Sequence, residues 1–233
     1  MTDLVSLLGN SLPRDHSRQQ SAQQLARELV VHRAIGAVLD VGCGAGNSVD
    51  LFRKWKADIR WVGVDIASSP EVEQRRRRDA EFHTFDGVAL PFPDASFDLL
   101  YSKQVLEHVR QPAASLKDMA RVLKPGALLV GSTSHLEPFH SYSYWNYTPY
   151  GFKVLIEEAG LELLEIRPSI DALTLIVRRL LGEPKFFSRW WSSDSPLNRL
   201  LSWRGAARKQ DHRRINANKL LYCGQFAFVC RKP

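Results

Sequence analysis

Short apolar runs alternate with longer amphipathic stretches through the middle of this chain. The runs are rich in β-branched and aromatic residues, as strands are. Six of them are AVLDV (37–41), RWVGVD (60–65), EFHTF (81–85), FDLLYS (97–102), ALLVGS (127–132) and LELLEI (161–166), and a seventh is YCGQFAFVC (222–230). Strands that alternate with helices in this way predict an α/β fold with a mostly parallel seven-stranded sheet and flanking helices.

The helices are predicted from the signals at their ends. One spans about 46–56, and a second spans 112–122, starting on Pro112 and stopping before Lys-Pro-Gly. A third has Thr148 as its N-cap, Pro149 in its first turn and Gly160 at its end. Proline at the start and glycine at the end are the usual helix boundaries. A further helix, 17–33, is expected to pack before the first strand.

Four segments follow from this pattern. They are an N-terminal helical segment (1–36), a core (37–170), a basic aromatic insertion (171–220) and a final core strand (221–233). The insertion mixes arginines with tryptophans and phenylalanines, and its prolines prevent one long helix. We interpret it as a helical lid over the substrate, with a membrane-facing segment as the alternative.

Composition narrows the class of protein. Of the 233 residues 44% are hydrophobic and 24% charged, which is typical of a globular chain. Three cysteines without a C-x-x-C pair argue against a disulfide framework or a zinc knuckle, and the absence of a leader or a long apolar run favours the cytoplasm. Residues 168–233 hold 13 Lys and Arg against 4 Asp and Glu, a surface that attracts phosphate, nucleic acid or anionic lipid. The run of four arginines at 75–78 is interpreted as a solvated face.

The stretch VLDVGCGAGNS (38–48) places three glycines directly after the first strand. Gly42, Gly44 and Gly46 let the backbone lie against a ligand. Asn47 stands where the dinucleotide fingerprint has its last glycine, and no P-loop lysine follows. Asp65 ends the second strand, where a carboxylate bonds ribose hydroxyls in such folds. An adenosine cofactor is therefore predicted.

Four motifs in order carry a resemblance to a known family. They are LDVGCGAG (39–46), GVDIA (63–67), FDGVALPFPDASFDLLYSKQVLEHV (85–109) and RVLKPGALLV (121–130). Over about residues 37–167 the chain resembles the class I S-adenosylmethionine-dependent methyltransferases of the type 11 group. The resemblance implies a Rossmann-like sheet, S-adenosylmethionine as cofactor and S-adenosylhomocysteine as product.

The resemblance also implies roles for individual residues. Asp40 would hold the methionine ammonium, directly or through water, and Asp65 the ribose hydroxyls. Asp86 would accept the adenine amino group beside the backbone of Gly87, and Gln104 would lie near the methionine part. The whole cofactor set is Asp40, Gly42, Gly44, Gly46, Asp65, Ile66, Asp86, Gly87 and Gln104.

The segment after the fifth strand, 132–151, is expected to face the acceptor, because ligands of open α/β sheets bind beyond the carboxyl ends of the strands. Histidine has a pKa suited to a general base, and the candidate bases, in order, are His140, His135 and His108. The predicted acceptor-binding residues are Tyr142, Tyr144, Trp145 and Tyr147, with closure of the core as the alternative role of these aromatics.

Two nearby motifs, Glu107-His108 and an H-x-E-x-x-H pattern, are interpreted as structural. Glu107 and His108 are taken as scaffold more readily than as a base. The H-x-E-x-x-H pattern of His135, Glu137 and His140 contains Pro138 and lacks the helical spacing of zinc proteases, so no metal site is predicted.

The sequence thus predicts an S-adenosylmethionine-dependent methyltransferase acting on a hydroxyl of a small molecule or a glycan- or lipid-linked acceptor. Peripheral contact with an anionic membrane is a secondary expectation. One alternative is RNA methylation, which the basic C-terminal part favours but which no appended RNA-binding module supports. Another is a catalytically silent cofactor-binding partner protein.

Overall fold

A seven-stranded sheet forms the centre of the computed structural model, which describes residues 3–233. The strands are β1 (Ala37–Val41), β2 (Arg60–Asp65), β3 (Glu81–Thr84), β4 (Phe97–Lys103), β5 (Leu123–Ser134), β6 (Glu162–Pro168) and β7 (Gln225–Arg231). Their order is β3-β2-β1-β4-β5-β7-β6. β7 runs opposite to the other six strands, which are parallel to one another. The predicted α/β class and the seven-stranded, mostly parallel sheet are confirmed.

Helices cover both faces of this sheet. They are α1 (Leu4–Leu8), α2 (Ala22–His32), α3 (Ser48–Trp55), α4 (Pro70–Glu73), α5 (Pro112–Val122), α6 (Pro149–Glu158), α7 (Ala172–Leu180), α8 (Pro196–Ala207) and α9 (His212–Leu220). Short 3₁₀ turns lie at Gly9–Ser11, Leu106–His108 and Lys185–Trp191. The predicted cap of α6 is confirmed, because the Thr148 side chain accepts a hydrogen bond from the Gly151 N–H.

Two predicted boundaries were wrong by four residues or more. The first helix begins at Ala22 rather than near 17, because Ser21 and Gln24 form a capping box there. The preceding glutamines are held in extended chain by other partners: the backbone N–H of Gln20 donates to the Pro168 carbonyl. β5 begins at Leu123, four residues before the predicted start at 127, because Phe97 of β4 pairs with Leu123 before the register shifts.

The core lies on both faces of the sheet. One face packs Phe97, Phe152 and Phe228 among aliphatic side chains, and the other packs Phe52 and Trp61 against α2 and α3. Strands buried on both faces read as continuous apolar runs, which explains why parallel strands were recognisable in the sequence.

The insertion at 171–220 folds as α7, a 3₁₀ turn, α8 and α9, beside the N-terminal segment. Gln19 links the two: its Nε2 donates to the Trp190 carbonyl (2.6 Å), and its Oε1 accepts from the Ser195 N–H (2.8 Å) and from Asn198 Nδ2 (2.7 Å). The buried Lys219 donates to the Ser17 carbonyl at 2.5 Å. These hydrogen bonds anchor the insertion to the N-terminal segment.

Among residues 3–233, no helix combines the length and the apolarity that crossing a bilayer requires. The three cysteines are buried and unpaired.

Candidate cofactor and acceptor site

The glycine turn after β1 has the backbone that the sequence predicted. Gly42, Gly44 and Gly46 have φ values of +74°, +51° and +79°, which only glycine adopts without strain. A Cβ on Gly42 would lie 2.4 Å from Val105, and one on Gly46 would lie 2.7 Å from Phe82. The glycines are therefore required by close packing under the turn as well as by its conformation.

Asp40 lies under this turn as a buried carboxyl group. Ser48 Oγ donates to Asp40 Oδ2, and Trp61 Nε1 donates to Ser48 Oγ at 2.9 Å. Burial raises the pKa of Asp40 to about 7; the Ser48 hydrogen bond opposes the rise, whereas the charge of Asp65 adds to it. A cationic ligand group beside Asp40 would stabilise its ionised form, so this position fits an ammonium.

Asp65 lies at the end of β2, next to the end of β1. Its Oδ2 accepts from the Gly44 N–H at 2.6 Å and its Oδ1 from the Ile66 N–H at 2.7 Å. These bonds fix the carboxylate beside the turn, where it can accept two ribose hydroxyls, and Ile66 remains exposed beside it.

Asp86 lies in the turn that follows β3. Its Oδ1 accepts from the N–H groups of Val88 (2.8 Å) and Ala89 (2.7 Å), and these bonds lower the pKa of Asp86. Gly87 has a φ of +90°. The second carboxylate oxygen is not part of this turn, so it is available to an amino group.

Two of the four consecutive arginines belong to the site, which corrects the prediction of a solvated face. Arg75 Nε and Nη2 donate to the Gly44 carbonyl (2.8 and 2.7 Å), and its guanidinium lies 4.2 Å from the centre of the Phe82 ring. Arg77 Nη1 donates to the Gly46 carbonyl at 3.2 Å. Arg75 and Arg77 are half-buried, whereas Arg76 and Arg78 are exposed, so of these four arginines only Arg76 and Arg78 face solvent.

A polar cluster lies beyond the ends of β4 and β5, beside the glycine turn. Gln104 has a φ of +54° and its N–H donates to the Ser132 carbonyl at 2.9 Å. When its amide is oriented to pair donors with acceptors, the amide nitrogen lies 3.0 Å from Glu107 Oε1 and 3.2 Å from Glu137 Oε2. Val105, which packs under Gly42, joins Gln104 to the 3₁₀ turn that carries Glu107.

Glu107 is the buried centre of this cluster. Thr133 Oγ1 donates to its Oε2 at 3.0 Å and Ser134 Oγ donates to its Oε1 at 3.3 Å. Burial raises the pKa of Glu107 to about 7, and the nearby Glu137 carboxylate adds to the rise. Glu137 itself accepts from Gln225 Nε2 (2.9 Å) and from Ser134 Oγ (2.6 Å).

Two histidines complete the cluster. His140 Nε2 lies 4.0 Å from Glu107 Oε1, and His140 Nδ1 lies 3.9 Å from Glu137 Oε1. The ring of His108 packs edge-on at 5.3 Å from that of His140 and hydrogen-bonds the Tyr142 carbonyl; burial lowers the pKa of His108. Ligand atoms of Glu107, His108 and His140 all lie within 4.8 Å of one another, so these three residues could hold a metal ion.

His135 lies outside this cluster. Its ring hydrogen-bonds the Tyr147 carbonyl, burial lowers its pKa, and its backbone N–H donates to the Gly224 carbonyl at 2.7 Å. The structure thus brings His140 and His108 together and leaves His135 apart.

The four predicted acceptor-binding aromatics divide into two groups. Tyr142, Tyr144 and Trp145 are exposed by 75%, 50% and 46%, so they offer rings to a ligand. Tyr147 instead packs on the core, and its hydroxyl donates to the Leu106 carbonyl at 2.8 Å.

Glu107 and Glu137 were not assigned a chemical role from the sequence. The signal that could have found them is position: Glu107 follows β4 and Glu137 follows β5, and neighbouring parallel strands bring their carboxyl ends to one edge of a sheet.

Comparison with known proteins agrees with this geometry. Residues 39–131 match a protein family described as "Methyltransferase domain". A demethylmenaquinone methyltransferase of Renibacterium salmoninarum is 38% identical over 138 residues, 55% of each chain. The O-methyltransferase cnsE of Penicillium expansum is 33% identical over 129 residues, 50% of this chain and 47% of that protein. The chain therefore matches about half the length of these relatives.

Solved structures extend the likeness to the whole fold. A crystal structure of a SAM-dependent methyltransferase from Aquifex aeolicus covers 100% of both chains with a TM-score of 0.54 at 14% identity. Together with the family match, the sheet order and the glycine turn, this confirms the resemblance found in the sequence. Residues 39–131 therefore carry a methyltransferase domain, and this family and fold imply S-adenosylmethionine as the cofactor.

Proposed function

We propose that this protein transfers the methyl group of S-adenosylmethionine to a hydroxyl of a small-molecule or glycan- or lipid-linked acceptor. The observation that carries the proposal is the adjacency of two sites: the Glu107–His108–His140 cluster is joined to the glycine turn through Val105, which packs under Gly42. A group that can accept a proton thus lies beside the glycine turn.

The proposed cofactor residues act by positioning. S-adenosylmethionine supplies a methyl group on a sulfonium, which a nucleophile displaces in line. Asp40 and the glycine turn would hold its amino-acid part, and Asp65 and Asp86 would hold its adenosine. Holding both reactants in line accounts for much of the acceleration expected in such a transfer.

The acceptor side must also remove the hydroxyl proton. His140 is half-buried, with 25% of its side chain accessible and a carboxylate within 4.0 Å of each ring nitrogen. A ring nitrogen of His140 would accept the hydroxyl proton as the O–CH₃ bond forms. Exposed Tyr142, Tyr144 and Trp145 would contact the acceptor beside it.

The names of the relatives support an acceptor of this kind. One is an O-methyltransferase by name and another acts on demethylmenaquinone, so hydroxyl and quinone-type small molecules are the first acceptors to test. RNA remains the rival substrate, because residues 168–233 carry 13 Lys and Arg against 4 Asp and Glu.

The test is incubation of the purified chain with methyl-labelled S-adenosylmethionine and separate pools of small metabolites, lipid-linked glycans and tRNA. We expect label on an oxygen in one of the first two pools. Label in the tRNA pool alone would refute the proposed acceptor and favour RNA as the substrate. No label in any pool, with cofactor bound, would favour the silent partner.

We further propose that α7 contacts an anionic membrane. One stripe runs along this helix and its C-cap at the helical spacing i, i+3, i+4, i+7, i+8. It consists of Leu173, Ile176, Val177, Leu180 and Leu181, which are exposed by 36% to 79%. We call this stripe the α7 surface. It is flanked by Arg178 and Arg179, as in helices that lie in a bilayer interface.

Vesicle sedimentation tests the α7 surface. The wild type should sediment with anionic vesicles and lose that binding as salt rises, and the double variant L173S/L180S should lose it at low salt. Leu200 is 54% exposed on α8, so L200S is a matched control that should still bind. If the double variant binds vesicles as well as the wild type does, the α7 surface is not a membrane contact. The interpretation of the insertion as a lid would then be favoured.

A further inference from the structure

The Glu107–His108–His140 cluster has the composition and the closeness of a cation site. One ligand atom of each residue lies within 4.8 Å of those of the other two. We infer that this cluster binds a divalent transition-metal cation, with Glu107, His108 and His140 as the ligands. The inference rests on the proposed function, because the same cluster would face the acceptor.

The first argument is charge. Glu107 is completely buried, and the side chain of Glu137 is only 11% exposed. Their hydrogen-bond partners are the neutral side chains of Gln104, Thr133, Ser134 and Gln225. Within residues 3–233 neither carboxylate is paired with a lysine or an arginine. Two buried carboxylates without a cation are costly, and a divalent ion bound by Glu107 would offset that cost.

The second argument is the arrangement behind the ligands. The His108 ring hydrogen-bonds the Tyr142 carbonyl, which leaves its other nitrogen free to bind. His140 Nδ1 lies 3.4 Å from the Pro138 carbonyl and 3.9 Å from Glu137 Oε1, while its Nε2 points towards Glu107. Metal-binding histidines usually give their second nitrogen to a carbonyl or a carboxylate, as both do here.

The donor set indicates the kind of metal. Two imidazole nitrogens and one carboxylate oxygen suit manganese, iron, cobalt or zinc better than calcium, which takes oxygen ligands. Bonds of about 2.0–2.2 Å place ligand atoms roughly 3 Å apart, so the 4.0 Å between His140 Nε2 and Glu107 Oε1 needs only a small side-chain adjustment. Three protein ligands leave open positions on the cation.

These open positions narrow the acceptor to one with two adjacent hydroxyls, as in a sugar or a catechol. Both hydroxyl oxygens could reach the cation, which would lower the pKa of the reacting hydroxyl. Its proton would pass to water, the oxygen would bond the methyl carbon, and the S–CH₃ electron pair would return to sulfur, giving S-adenosylhomocysteine. In this arrangement His140 acts as a ligand and no side-chain base is required.

Direct metal binding tests the inference. The EDTA-treated full chain, saturated with S-adenosylhomocysteine, is titrated with Mn²⁺, and free Mn²⁺ is followed by electron paramagnetic resonance. We expect one Mn²⁺ per chain and at least about tenfold weaker binding in H108A, H140A and E107Q. His83 also has a carboxylate partner, Glu81 at 2.8 Å, but no second histidine, so H83A is the matched control and should bind as the wild type does.

Failure of this inference can be told apart from failure of the proposed function. No stoichiometric Mn²⁺, or the same loss in H83A as in H108A, would overturn the cation site. E107Q keeps the shape of the side chain, and an unchanged S-adenosylhomocysteine-induced melting shift would show that it is folded. Methyl transfer that persists in EDTA would refute the cation site and leave the proposed function standing. Stoichiometric Mn²⁺ binding without methyl transfer to any pool would support the cation site and refute the proposed function.

Discussion

Cofactor affinity should depend on pH through Asp40. The pKa of this buried carboxyl is raised to about 7, so about 1% of it is ionised at pH 5 and most of it at pH 8. If the ammonium of the cofactor binds only the carboxylate, affinity should fall about 100-fold from pH 8 to pH 5, which corresponds to about 2.7 kcal/mol. The cofactor amino-acid tail would then bind with release of a proton.

The same shift makes a prediction for stability. The folded chain holds a proton on Asp40 between the ordinary value of 3.8 and about 7, where the unfolded chain has lost it. Stability without ligand should therefore decrease as the pH rises through this window, by an upper limit on the order of 4 kcal/mol. The carboxamide of D40N carries no charge, so that variant should lack this decrease.

Calorimetric titration with S-adenosylhomocysteine from pH 5 to pH 8.5 measures the effect. D40N should bind weakly at every pH, with little pH dependence. S48A removes the hydrogen bond that opposes the rise, so its affinity midpoint should move to higher pH. A wild-type affinity that is flat across this range, or a D40N variant with the wild-type pH profile, would refute the role of Asp40.

Three further substitutions test other parts of the site. D65A should reduce the melting shift induced by S-adenosylmethionine, since each hydrogen bond to a charged acceptor is worth about 1.5–3 kcal/mol; a full shift would remove Asp65 from the ribose site. H140A should lower kcat by about 10²-fold or more, as loss of a base or of a metal ligand does, with unchanged affinity for S-adenosylhomocysteine; steady-state kinetics with unaltered turnover would show that His140 is not needed. R75M should weaken S-adenosylhomocysteine binding by loosening the Gly44 carbonyl, whereas R78M, at an exposed neighbour, should bind normally in calorimetry; equal effects would contradict the assignment of Arg75 to the turn.

The sheet and the glycine turn could be predicted because their signals are local. Apolar runs mark the buried strands, and three glycines within five residues mark a turn that must take positive φ. The start of α2 could not be located because Ser17 and Ser21 are equally good caps in the sequence. Hydrogen bonds of Ser17, Gln19 and Gln20 to distant residues keep 17–21 out of the helix.

The cluster beyond β4 and β5 could be predicted only in part. His140 was found because histidine is a suitable base in the segment after β5. Its two carboxylate neighbours come from different loops, and their burial depends on how β5 and β7 meet. In the same way, the roles of Arg75 and Arg77 depend on the packing of their side chains against Phe82 and the glycine turn, which no local pattern reveals.

The measurement that tests the central claim most directly is titration of the wild-type chain at pH 8 with S-adenosylhomocysteine and, separately, with NAD. The glycine turn, Asp40 and Asp65 predict one S-adenosylhomocysteine bound per chain and no measurable heat with NAD. Binding of NAD with equal affinity, or no binding of S-adenosylhomocysteine, would contradict the assignment of this site.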